Sequence, residues 1–136
     1  DRLAQAVAPA WATRGGSATF ELLSPSLRLR ADEAQLEQAL LALLRNAEQA
    51  TAEQPAPQLW VQARQGRGGR LTISVRDNGP GVPAGLERQI FLPFFSAREG
   101  GQGIGLTVVR QLVHGMGGRV RLVRPLEGGA AFVLSF

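Results

Sequence analysis

The sequence predicts a single α/β domain. Three segments carry apolar residues at helical spacing, runs of strand type separate and follow them, and one glycine- and proline-rich stretch, residues 79–103, breaks the order. A chain of 136 residues, 44% hydrophobic, has the size of one domain and can bury an adequate core without staples. No internal repeat, linker or second domain is visible, so residues 1–136 are expected to form one unit.

In chain order, Leu3, Ala6, Val7, Ala10 and Trp11 recur at helical spacing and Gly15-Gly16 follows, which predicts a first amphipathic helix over residues 2–13. Residues 18–23 and 27–31 are strand-type runs around Ser24-Pro25-Ser26, a hairpin-turn signature. Asp32 stands where an N-cap belongs. Leu36, Leu40, Leu43, Leu44, Ala47 and Ala50 then form a broad apolar stripe, predicting a long helix to about Ala52. Pro55 and Pro57 close it, and residues 59–65 and 71–78 predict two strands around a Gly-rich turn. One helical turn is expected near residues 86–90, inside a loop whose length favours a functional role. Leu106, Val109, Leu112 and Val113 restore helical spacing over residues 105–116, and residues 119–123 and 130–136 predict two closing strands around a turn at residues 126–129.

Composition removes several classes of function. There are no cysteines and one histidine, so thiolate sites are excluded and a metal must be held mainly by oxygen. All fifteen basic residues are arginine. A Walker A loop and the eukaryotic-type protein kinase site both require lysine, so both are eliminated. The net charge of +4 comes from scattered arginines, with only Arg64, Arg67 and Arg70 clustered. That pattern reads as solvated surface rather than a nucleic-acid site. No apolar run approaches membrane-spanning length, and Asp1-Arg2-Leu3-Ala4 lacks a signal-peptide layout, so a cytoplasmic piece without membrane contact is expected.

Four patches carry candidate chemistry. In the strand ending at Asp77, Leu71, Ile73 and Val75 share one face, so a period of two places Asp77 on the apolar side. A buried carboxylate must accept hydrogen bonds, and the exocyclic amine of adenine is a suitable donor; alone, Asp77 equally fits the cap of the turn Asn78-Gly79-Pro80-Gly81. Gly79 and Gly81 keep side chains away from a flat ring lying against the backbone. Gly101, Gly103 and Gly105 open the helix that begins at Leu106, where free amides and the positive dipole end suit phosphate oxygens, although alone they describe a flexible loop. Asn46 borders the buried stripe of its helix. Its amide oxygen can fill one place around magnesium, the companion of ATP phosphates, while a lone helical Asn is ordinarily a surface residue or a local hydrogen bonder.

In order and spacing, Asn46-Ala47-x-x-Ala50, Asp77-x-Gly79-x-Gly81, Phe91-x-Pro93-Phe94-Phe95 and Gly101-x-Gly103-x-Gly105-Leu106 resemble the N, G1, F and G2 boxes of the catalytic ATP-binding domain of bacterial sensor histidine kinases. The resemblance covers nearly the entire chain. It implies a two-layer α/β sandwich, a mixed sheet of about five strands backed by three helices, the Bergerat fold shared with Hsp90, MutL and gyrase. It implies that Asn46 coordinates Mg2+ and that Asp77 holds the adenine amine. Gly79, Gly81, Gly101, Gly103 and Gly105 would shape the pocket and its lid, with Val82 and Leu106 against the base. Arg98 stands where relatives often carry lysine and is assigned as the cationic clamp on the terminal phosphates, the nearest thing to a catalytic residue here. The short interval from Phe95 to Gly101 implies a compact lid, as in kinases of the nitrogen-regulation type.

Two positions depart from the pattern. Ala42 occupies a place that holds Asn in many histidine kinases and a general-base glutamate in the ATPase relatives and the anti-sigma serine kinases, which argues against the latter two. Gln49 stands where some relatives place a basic phosphate contact, which shifts the electrostatic burden to Arg98. His114, in Leu112-Val113-His114-Gly115-Met116, lacks an acidic neighbour and is read as structural, so the phosphoacceptor is expected on a helical dimerisation domain outside this chain. The implied function is to present the γ-phosphoryl of MgATP to that histidine, for later transfer to a response regulator. The alternatives are a non-transferring nucleotide-binding regulatory module and an ATPase of the Hsp90 and MutL kind.

Overall fold

The computed structural model describes residues 9, 11–22, 33–65, 70–82, 85, 89–91, 105–125 and 128–136. Five strands form one mixed sheet: β1 (Ser17–Leu22), β2 (Gln58–Gln65), β3 (Leu71–Asp77), β4 (Arg119–Val123) and β5 (Ala130–Ser135). Their order across the sheet is β1-β2-β3-β5-β4. The β1–β2 pair is parallel and the other three pairs are antiparallel. A parallel neighbour requires a long crossover, and α1 (Glu33–Ala50) supplies it between β1 and β2. The second long helix, α2 (Gly105–Gly115), precedes β4 and packs against α1.

Alternation along each strand decides which side meets the helices. Phe20, Val61, Val75, Phe132 and Leu122 are register partners in one row across all five strands. Against this side α1 places Ala39, Leu43, Leu44 and Ala47, and α2 places Val109 and Val113, all in the buried core. Burying one such leucine or valine contributes about 1.5–3 kcal/mol. The opposite side of the sheet mixes polar residues with Trp60, Ala131 and Val133. There the Arg76 guanidinium lies 4.0 Å above the Trp60 ring, and Gln62 donates to Glu21 at 3.2 Å.

Gly15-Gly16 closes the first helical segment as the sequence predicts. Residues 11–13 are helical, and Gly15 donates to Ala12 O at 3.0 Å while Gly16 donates to Trp11 O at 3.0 Å. The same double bond pattern ends α2, with Gly117 on His114 O and Gly118 on Val113 O. These are Schellman ends. By contrast α1 stops at Ala50, two residues before the expected end. Of the single turn expected at residues 86–90, residues 86–88 lie outside the described residues, and a 3-10 turn runs over Gln89–Phe91, where Ile90 is buried. Strand β3 ends at Asp77 rather than Asn78, and β5 at Ser135 rather than Phe136. The run 27–31, the Asp32 cap and most of the turn at 66–70 lie outside the described residues; the described partner of β1 is β2. No described helix is long and apolar enough to cross a membrane.

Candidate nucleotide site

The predicted inward carboxylate is present. Burial along β3 alternates without a break, and Asp77 is 2% exposed on the same side as Leu71, Ile73 and Val75. Its Oδ1 accepts the backbone N–H of Gly79 at 2.8 Å. Turn cap and buried acid are therefore one and the same feature. Its register partners are Leu59 on β2 and Ala130 on β5, and Leu59 in turn pairs with Ala18 on β1. The carboxylate thus sits at the end of the sheet between buried Leu59 and buried Ala130.

Close approach explains the glycines around it. A Cβ on Gly79 would collide with the carbonyl oxygen of Ala50, so the turn after Asp77 lies directly against the last turn of α1. Gly81 has φ +81°, and a Cβ there would stand 2.8 Å from Gly129 O. Asn46, half-buried, lies one helical turn before Ala50. The structure thus brings the end of the Asn46 helix and the Asp77–Gly81 turn into contact. Val82 and Leu106 are half-buried at the margin of the core, and Gly105 opens α2. Gln49 is exposed on α1, where it lines a depression of about 650 Å³ with Thr13, Arg14, Glu48 and Ala52. That depression does not include Asp77. The buried acid and its glycine turn define the candidate site better, because a purine needs a directed acceptor more than an open hollow. Arg98, Gly101 and Gly103 lie outside the described residues.

Sequence reasoning missed three supports of this site. Gly129, with φ +80°, packs on the backbone of Asp77, whose carbonyl oxygen a Cβ would strike. The dipeptide Gly128-Gly129 was visible as a turn, but nothing in it pointed to β3. Asn78 clips the chain that leaves α1: its Oδ1 accepts from Gln58 N at 2.8 Å and its Nδ2 donates to Ala56 O at 3.1 Å. Thr107, in the first turn of α2, donates through Oγ1 to Phe91 O at 2.8 Å, and the Phe91 ring meets Phe132 edge-on at 6.1 Å. The aromatic turn is thereby tied to the helix that the glycine loop opens. His114 lies exposed in the last turn of α2.

The family described as histidine kinase-, DNA gyrase B-, and HSP90-like ATPase matches residues 31–136. The chain belongs to that family. Among curated relatives, it is 40% identical over 107 residues to the C4-dicarboxylate transport sensor protein DctB of Pseudomonas aeruginosa, covering 76% of this chain and 17% of the relative. It is 39% identical over 106 residues to the sensory histidine kinase/phosphatase NtrB of Salmonella typhimurium, covering 71% and 30%. Full-length ShkA, solved in complex with AMPPNP, superposes with a TM-score of 0.86 at 33% identity, covering 98% of this chain and 28% of that one. Within the family, the fold and the matches are those of the ATP-binding catalytic domain of sensor histidine kinases. The α/β sandwich expected of that domain is the one observed. This chain spans less than a third of the relatives named here.

Proposed function

We propose that the chain, as a single domain, binds MgATP and presents the γ-phosphoryl group to a histidine on a separate helical dimerisation domain, for later transfer to an aspartate of a response regulator. The observation that carries this reading is the buried Asp77 carboxylate, sited at the end of β3 and followed by Gly79 and Gly81, where a side chain would strike neighbouring backbone. In it, Asp77 accepts the adenine amine, and Val82 and Leu106 flank the base. Gly79, Gly81 and Gly105, with Gly101 and Gly103, shape the pocket, while Arg98 neutralises the terminal phosphates.

The donor set suits a hard cation. Among the described residues no group of three His, Cys, Asp or Glu side chains could hold a metal. Asn46 instead carries an amide oxygen on α1 one helical turn before Ala50, whose carbonyl lies against Gly79, and one such oxygen fits magnesium, an ion that keeps phosphate and water ligands. When bound, it would supply charge neutralisation at the phosphates. The chain's own residues position the nucleotide and exclude water rather than form covalent bonds. A cytoplasmic location follows from this role.

Calorimetry with a non-hydrolysable ATP analogue, with and without magnesium, tests the binding. Mixing the chain with its histidine-bearing domain and labelled ATP tests the transfer. Phosphohistidine is the expected product. Tight binding without transfer would favour a regulatory module, the reading that Ala42 and exposed Gln49 support. Steady phosphate release by the chain alone would favour an ATPase.

A further inference from the structure

The C-terminal end of α1 has neither a glycine cap nor a basic residue in its last turn. Thr51 and Ala52 satisfy the carbonyls of Ala47, Glu48 and Gln49, and the negative end of the helix dipole still favours a cation close by. That cation comes from 37 residues earlier. Arg14, just past the first helical segment, donates through Nη2 to Thr51 O at 2.9 Å and to Thr51 Oγ1 at 3.2 Å. Thr51 is fully buried, and its hydroxyl donates back to Ala47 O at 2.8 Å. The guanidinium also lies 4.9 Å over the ring of Trp11, which is fully buried.

Nη2 and the ring contact hold the guanidinium at the helix end, while Nη1 finds no hydrogen-bond partner among the described residues. What this helix end touches matters for the site. Ala50, the residue before Thr51, is the one whose carbonyl lies against Gly79, and Gly79 N–H holds Asp77 Oδ1. Asn46 stands one turn upstream. The last turn of α1 is therefore gripped between Arg14 and the Asp77–Gly81 turn.

We propose that Arg14 is a positioning residue for the nucleotide site: by closing the C-terminal end of α1 it fixes Asn46 in place relative to Asp77. The inference rests on the MgATP reading above.

The test compares the wild-type chain with Arg14→Ala and Arg14→Lys by calorimetry of a non-hydrolysable ATP analogue, with magnesium and without. Removing an outer support of a metal ligand typically weakens metal-dependent binding by about 10–100-fold. Arg14→Ala is expected to lose about tenfold with magnesium and less than about threefold without it, and Arg14→Lys, which keeps a cation at the helix end, to recover part of the loss. A merely structural arginine would lower both affinities by the same factor, and that result, or no loss, overturns the proposal. A second readout needs no nucleotide: amide exchange over residues 47–54 is expected to quicken in Arg14→Ala, and unchanged exchange also overturns it. Absence of nucleotide binding by the wild-type chain would instead sink the MgATP reading, and with it the assignment of Arg14 to that site.

Discussion

Asp77 faces the core because β3 keeps its alternation to the final residue, and it is tolerated there because Gly79 donates to it. Replacing it by Asn keeps an Oδ1 acceptor for Gly79 but exchanges the second oxygen for a donor, which in the proposed complex would confront the adenine amine with another N–H. Loss of a hydrogen bond to a charged acceptor amounts to about 1.5–3 kcal/mol. Asp77→Asn is therefore expected to weaken the ATP analogue by about 10–100-fold, with the circular dichroism spectrum unchanged. Gly129 offers a second residue-scale test. Gly129→Ala meets both a φ of +80° and the Asp77 carbonyl; a strained backbone position alone costs about 1–3 kcal/mol. A loss of that order in urea denaturation, with weaker nucleotide binding, is the expected outcome. Unaltered affinity in a folded Gly129→Ala would show that the β4–β5 turn does not shape the pocket.

Among elements, α1 was the most legible, because six apolar residues at regular spacing leave one solution for an 18-residue helix. The glycine pair that ends the first helical segment was equally plain. Less plain was the aromatic turn, described only over Gln89–Phe91. So short a stretch carries too little periodicity to read, and it is anchored by Ile90 in the core and by Thr107 on Phe91 O. Thr107→Val leaves that carbonyl without its donor. The chain should lose about 1–2 kcal/mol in denaturant unfolding, and an unchanged midpoint would mean that the bond does not anchor the turn. The end of α1 resisted reading for another reason: the group that closes it, Arg14, is 37 residues away and looks from its neighbours like an ordinary surface arginine.

At the scale of the whole molecule, sheet order could not be computed from the strands one by one. Placing β5 between β3 and β4 is what sets Ala130 beside Asp77 and Gly129 beneath its backbone. Because the proposed ligand touches both helix and sheet layers, its binding should stabilise the fold as a unit. At 100 times the dissociation constant a ligand adds about 2.7 kcal/mol, which for a chain of this size raises Tm by roughly 5–10 °C. A thermal melt with the ATP analogue and magnesium should show that rise, and Asp77→Asn should lose most of it at the same concentration. No shift for the wild-type chain would refute binding across the two layers.

The sequence by itself determined the α/β class, the inward aim of Asp77, the long helix bearing Asn46 and the glycine boxes, since each follows from local periodicity or from a residue's own conformational range. Only the tertiary structure decided that Gly129 supports Asp77, that Asn78 clips the exit of α1, and that Arg14 closes the helix on which Asn46 stands. Those contacts join residues from 20 to more than 50 positions apart. No periodicity encodes such pairs, because they are chosen by which layers meet once the strand order is fixed.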